Sequence, residues 1–129
     1  MSKEKNKKIL IVDDEKMFAF LLARLLRSGG YGASFVYSAE KALDRISSEK
    51  YDLVIADIRM DGMTGYEMIK FIIDKYGIDD SPKFLVGTGT QFTLQSEEMR
   101  ALNIYKILEK PFPRPSRLFM EIESAINAG

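Results

Sequence analysis

Residues 51–65, YDLVIADIRMDGMTG, restrict the fold more than any other stretch of the chain. Four apolar residues, 53–56, run straight into an acid, Asp57, and a loop with Asp61, Gly62 and Gly65 follows. An apolar run without polar alternation, bounded by turn residues, reads as a strand buried on both faces. Such strands occur in parallel sheets covered by helices. Ligands of those sheets sit outside the carboxyl ends of the strands. Asp57 therefore stands where chemistry is expected.

The rest of the chain supplies the neighbours that such a strand needs. Residues 8–12, KILIV, form a first strand that ends in Asp13 and Asp14. The spacing of Phe18, Leu21, Leu22 and Leu25 predicts a helix over 15–27, stopped by Ser28, Gly29 and Gly30. A second strand covers 32–37. Ser38 then suits the N-cap of a helix whose stripe is Ala39, Ala42, Leu43 and Ile46. After the Asp57 strand, Ile69, Ile72, Ile73 and Tyr76 mark a helix over 65–76, with Gly77 as its stop. A fourth strand, 84–88, closes on Gly87, Thr88 and Gly89. A weaker helix follows over 92–102, anchored by Phe92, Met99 and Leu102. The short strand 105–109 carries charge, as suits a sheet edge, and leads into Lys110 and PFPRP. The last helix, 116–127, buries Leu118, Ile122, Ala125 and Ile126. Five alternations of strand and helix predict an α/β fold: a parallel sheet with helices on both faces and right-handed crossovers.

Composition removes several classes of function. At 129 residues the expectation is one domain over 1–129, with a polar lead-in at 1–7 and no output domain. Lys plus Arg and Asp plus Glu number 19 each, so there is no basic excess for direct nucleic-acid binding. Cysteine is absent, which excludes disulfides and thiolate metal sites. Histidine is absent too, which removes the usual neutral-pH base and phosphocarrier. No apolar run is long enough for a membrane span, and the basic N-terminus lacks the apolar core of a signal peptide. The expected location is the cytoplasm.

The strand ends carry complementary groups. The first offers Asp13 and Asp14, the third Asp57, the fourth Thr88 and the fifth Lys110. In a parallel sheet all of these lie on one edge. Crowded carboxylates repel unless one takes up a proton. A divalent cation relieves that, and hard oxygen donors suit Mg2+ (or Mn2+), which commonly shares itself with a phosphate. A carboxylate beside such a cation, an ammonium and a hydroxyl is equipped to attack a phosphoryl group. Each piece alone has a plainer reading. An acidic pair after a strand often caps a helix, and a threonine between glycines is ordinary turn chemistry. Lys110 could be a solvated edge lysine. The coincidence of four strand ends favours the chemical reading.

These residues resemble the receiver domain of bacterial two-component response regulators over essentially the whole chain. The resemblance is carried by IVDDE at 11–15, DIRMDGMTG at 57–65, the Thr88-Gly89 pair and EKPF at 109–112, in that order. It implies a flavodoxin-like doubly wound (βα)5 fold with strand order 2-1-3-4-5. It implies phosphorelay signalling, with Asp57 accepting a phosphoryl group from a histidine kinase or histidine phosphotransfer protein. Asp13 and Asp14, with Asp57 and the backbone carbonyl of Arg59, are then the metal ligands. Thr88 becomes a switch hydroxyl and Lys110 the phosphate-binding lysine, with a cis bond to Pro111. Dimerisation on phosphorylation and a downstream protein target are further implications; turnover catalysis is not.

Several positions depart from the family pattern. Asp61 stands where proline is usual, Asn103-Ile104 where Gly-Ala is usual, and Ile107 where a switch aromatic is usual. Tyr105, two residues earlier, falls on the same face as Ile107 by alternation. Arg59 and Thr90 occupy positions that tune dephosphorylation in the family. Met17 and Phe20 lie off the predicted stripe of the first helix, either buried or free to meet a donor helix. Three other readings remain. A receiver-like scaffold acting by binding alone would not need the full set of five site residues. A phosphohydrolase would need an acid where Arg59 stands. A nucleotide-binding protein would need a glycine-rich loop after the first strand.

Overall fold

A computed structural model describes residues 6–128. Most of the predicted lead-in at 1–7 therefore lies outside the described residues. In chain order the elements are β1 (Lys8–Val12), α1 (Lys16–Ser28), β2 (Gly32–Val36), α2 (Ala39–Ser48) and β3 (Leu53–Asp57). They continue as α3 (Gly65–Tyr76), β4 (Lys83–Thr88), α4 (Ser96–Ala101), β5 (Ile104–Glu109) and α5 (Pro115–Asn127). All strand pairs are parallel and the order is β2-β1-β3-β4-β5. This is the expected flavodoxin-like sheet.

Strand alternation divides the core into two layers. Leu10, Val12, Val54, Ala56, Phe84, Val86 and Ile104 face one way, onto Ala39 and Ala42 of α2 and Met68, Ile69 and Ile72 of α3. Ile9, Ile11, Leu53, Ile55, Leu85 and Leu108 face the other way, onto α1 and α5. All five residues of β3 are buried, which explains why its sequence shows no alternation.

Local signals set the helix ends. Ser38 accepts a hydrogen bond from the Lys41 backbone N–H and caps α2. Thr64 and Glu67 form a reciprocal capping box at the start of α3. Gly77, at φ 81°, ends that helix. Asn103 takes the left-handed conformation before β5, at φ 58°, as its residue type allows.

Three expectations are corrected. The stripe of α1 is Ala19, Leu22, Ala23 and Leu26, one position on from the predicted one, and Leu21 is 52% exposed. A Leu-rich helix has two overlapping apolar stripes, and its neighbours choose between them. The helix predicted over 92–102 is only Ser96–Ala101. Phe92 and Leu94 both pack against the core from non-helical backbone. Residues two apart share a side of an extended chain and diverge on a helix. Finally, Phe84 pairs with Ile104 and Leu85 with Lys106, so Tyr105 is an extra residue in β5. That irregularity breaks the alternation which put Tyr105 and Ile107 on one face. Ile107 packs against the core on the α2–α3 side, while Tyr105 is exposed.

Candidate functional site

Sheet register assembles the site. Val12 is paired with Ala56, so Asp13 follows at the level of Asp57. Asp57 is paired with Gly87, and Thr88 with Glu109. The backbone N–H of Lys110 donates to the Thr88 carbonyl at 2.8 Å, which carries Lys110 back over the same edge. The Lys110–Pro111 bond is cis, as expected.

Carboxylate oxygens of Asp13, Asp14 and Asp57 lie within 4.8 Å of one another. Asp13 is 2% and Asp57 9% exposed. Lys110 Nζ donates to Asp13 Oδ2 at 2.6 Å, Glu15 Oε1 at 3.2 Å and Asp57 Oδ2 at 3.4 Å. The backbone supports the acids as well. Glu15 N–H donates to Asp13 Oδ1 at 2.9 Å, and Asp61 N–H to Asp14 Oδ2 at 3.2 Å. Arg59 N–H approaches Asp57 Oδ1 at 3.4 Å. Asp61, which replaces the usual proline, thus uses the N–H that proline lacks. Gly62 completes the turn at φ 79°.

Burial pushes the Asp57 carboxyl above the usual carboxylate range. The Lys110 charge opposes that, and the nearby Asp13 charge adds to it. For Lys110, burial acts to lower the pKa. The hydrogen bond and charge of Asp13, with the Asp57 charge, outweigh burial and hold it above its usual value. Asp13, Asp14, Asp57 and Glu15 set four carboxylates against one ammonium.

Mg2+ holds oxygens at about 2.0–2.1 Å, so oxygens sharing one ion lie within roughly 4.2 Å of each other. A 4.8 Å span fits that requirement after a small side-chain adjustment. Hard oxygen donors of net negative charge suit the ion chemically.

Of the sequence-predicted residues, Asp13, Asp14, Asp57 and Lys110 come together, and the backbone of Arg59 borders them. Thr88 sits on the neighbouring strand end, 2% exposed. Its hydroxyl donates to the Thr90 carbonyl at 2.7 Å and accepts from Thr90 N–H at 3.2 Å, so it is turned toward its own loop. The Arg59 guanidinium also goes to Thr90, with Nε 3.2 Å from Oγ1. Two neighbours escaped the sequence reading: Glu15, which meets Lys110, and Phe18, whose ring centroid is 4.3 Å from Lys110 Nζ. Glu15 lies inside the IVDDE motif. Phe18 reads from sequence only as helix core.

The profile of the family described as "Response regulator receiver domain" matches residues 9–123. The chain is 31% identical over 107 residues to sporulation initiation phosphotransferase F of Bacillus subtilis, covering 83% of this chain and 84% of that protein. It is 33% identical over 119 residues to the transcriptional regulatory protein FixJ of Bradyrhizobium diazoefficiens. That match takes 92% of this chain and 56% of FixJ. Against the sensory/regulatory protein RpfC of Xanthomonas campestris, it is 40% identical over 63 residues, 49% of this chain and 9% of RpfC. Several curated relatives are thus much longer than this chain.

Many solved structures are similar in fold, two of them as follows. The chemotaxis response regulator CheY4 of Vibrio cholerae superposes with a TM-score of 0.80 at 24% identity, over 94% of this chain and 99% of that one. A response regulator receiver domain from Methylobacillus flagellatus gives 0.79 at 26%, over 94% and 99%. The family profile spans both acidic motifs and the lysine, and the fold agrees throughout: the chain belongs to the response regulator receiver domain family, a module of two-component phosphorelay signalling.

Proposed function

We propose that Asp57 is the phosphoacceptor of this receiver. One carboxylate oxygen attacks the phosphorus of a phosphohistidine on a histidine kinase or histidine phosphotransfer protein. The P–N bond breaks, the imidazole keeps its electron pair, and an acyl phosphate forms on Asp57. The observation that carries this reading is the meeting of three carboxylates with the Lys110 ammonium at one sheet edge.

Asp13, Asp14, Asp57 and the Arg59 carbonyl would hold Mg2+ (or Mn2+). When bound, the cation offsets the negative charge of the carboxylates and of the phosphoryl oxygens. Lys110 adds an ammonium that meets the phosphoryl group as well as Asp57. Thr88 leaves Thr90 and turns its hydroxyl onto a phosphoryl oxygen. That exchange of partners changes the loop after β4 and, with it, protein binding. Ile107 leaves the usual aromatic partner of the switch out of β5, so the signal runs through the loop.

The donor helix docks on α1. Met17 is 67% and Phe20 42% exposed, which supports that reading; Phe20 also meets Phe35 of β2 edge-on, with ring centroids 6.2 Å apart. The setting is the cytoplasm; among the described residues no helix is long and apolar enough to cross a membrane. The family is one of signalling domains rather than turnover enzymes.

The test is incubation with acetyl phosphate, with and without Mg2+, followed by intact mass. The expected adduct is one phosphoryl group, stable in acid and labile in base, dependent on Mg2+ and absent from Asp57→Asn. No adduct on the wild type, or an undiminished one on Asp57→Asn, would overturn the proposal.

A further inference from the structure

We infer that Phe18 is a positioning residue for Lys110, holding the ammonium in the crevice by a cation–π contact. The inference rests on the reading of Asp57 as phosphoacceptor.

A lysine ammonium is a compact, strongly hydrated charge on a flexible four-carbon stem. Nothing in that stem keeps it at one place in a site. Here its three N–H donors face carboxylates, at 2.6 Å from Asp13, 3.2 Å from Glu15 and 3.4 Å from Asp57. The Phe18 ring adds a further attraction, 4.3 Å from Nζ to the centroid. Every other lysine–ring or arginine–ring pair among the described residues is at 5.3 Å or more. The Lys110 side chain is only 12% exposed, and the ring is part of what covers the charge. Cation–π attraction is strongest in that desolvated setting.

The ring is itself braced. Phe18 meets Phe112 edge-on, with centroids 5.4 Å apart and planes at 77°. Phe112 lies over Gly87, where a Cβ would come within 2.8 Å of the ring and 3.7 Å of Lys110 Cε. Gly87 is the register partner of Asp57. An aromatic wall therefore runs from the strand beside the nucleophile out to the ammonium.

The contact has a consequence for the reaction. Lys110 rests closer to Asp13 than to Asp57, and it must shift to meet a phosphoryl group on Asp57. A π face attracts a cation without demanding one direction, so the ring retains the ammonium through that shift. Carboxylates alone would hold it at Asp13.

The test compares Phe18→Leu and Phe18→Tyr with wild type in the full chain. Leucine keeps apolar bulk against the core but has no π face; tyrosine keeps both. Phosphorylation by acetyl phosphate with Mg2+ is followed by intact mass over a series of donor concentrations. The expected result for Phe18→Leu is a saturating rate lower by about three- to thirtyfold, with little change in the donor concentration for half-maximal rate. Phe18→Tyr stays near wild type. Nitrogen NMR of the Lys110 ammonium gives a second readout: slow hydrogen exchange in wild type and Phe18→Tyr, fast exchange in Phe18→Leu. If Phe18→Leu fails to fold, Phe18→Met takes its place with the same expected losses. A leucine variant at the wild-type rate would overturn the inference, as would leucine and tyrosine variants slowed equally. No adduct on the wild type would overturn the site reading itself, and the inference with it.

Discussion

Burial works against the ionised form of Asp57. Its carboxyl has a raised pKa in the folded chain, chiefly from desolvation. The unfolded chain therefore releases that proton at lower pH than the folded chain does. The sign follows by linkage: ionisation subtracts stability as pH rises from the ordinary carboxylate range through the folded pKa, and the loss is constant above it. Asp57→Asn is expected to melt higher than wild type at neutral pH in metal-free buffer, while losing the phosphoryl adduct. The difference should vanish below the ordinary carboxylate range, where both states of the wild type are protonated; thermal melts against pH check this. Each kcal/mol appears as about 3–5 °C in a domain of this size. Lys110 is the counterpart. Lys110→Gln leaves Asp13 and Asp57 without their cation and should lower stability by about 2–4 kcal/mol, since breaking a buried ion pair strands a charge. Mg2+ should restore more stability to that variant than it adds to wild type, which calorimetry with and without the ion would show.

At the scale of elements, close packing behind Asp57 sets the tolerance of the site. Gly65 opens α3 directly behind the end of β3. A Cβ there would fall 2.2 Å from the Asp57 carbonyl oxygen, so backbone would have to move. Gly65→Ala should therefore destabilise by about 3 kcal/mol, the upper range for overpacking, and slow phosphorylation by displacing Asp57. Denaturant titration and the acetyl phosphate assay read the two effects separately. The segment before α4 has the opposite character. Residues 91–95 belong to neither helix nor strand, although Phe92 and Leu94 pack on the core. Tyr66 of α3 ties the region down through its hydroxyl, which donates to Glu98 Oε2, and through its ring contact with Phe92. Backbone without ladder bonds opens locally at low cost. Amide exchange at residues 91–94 should be far faster than in the middle of α3, which exchange followed by mass spectrometry would show.

Across the whole molecule, the sequence by itself determined the five strands, the sheet edge that carries the site, and the acids and lysine on it. Those features are written locally: an apolar run reads as a buried strand without reference to its neighbours, and the residue ending it faces the active edge in any parallel sheet. Ser38 announces the start of α2 in the same local way. Other features depend on what an element packs against. Leu21 and Leu22 are equally apolar, and only the placement of α1 on the sheet buries one and exposes the other. Phe92 and Leu94 fit a helix or an extended segment, and the core selected the extended form. The extra residue at Tyr105 comes from register with β4, which no single strand encodes. In the site, sequence places Lys110 at the edge but not its nearest partner. The preference for Asp13 over Asp57, the reach of Glu15 and the ring of Phe18 arise from residues far apart in the chain. Local periodicity carries no information about those distances; tertiary packing alone decided them.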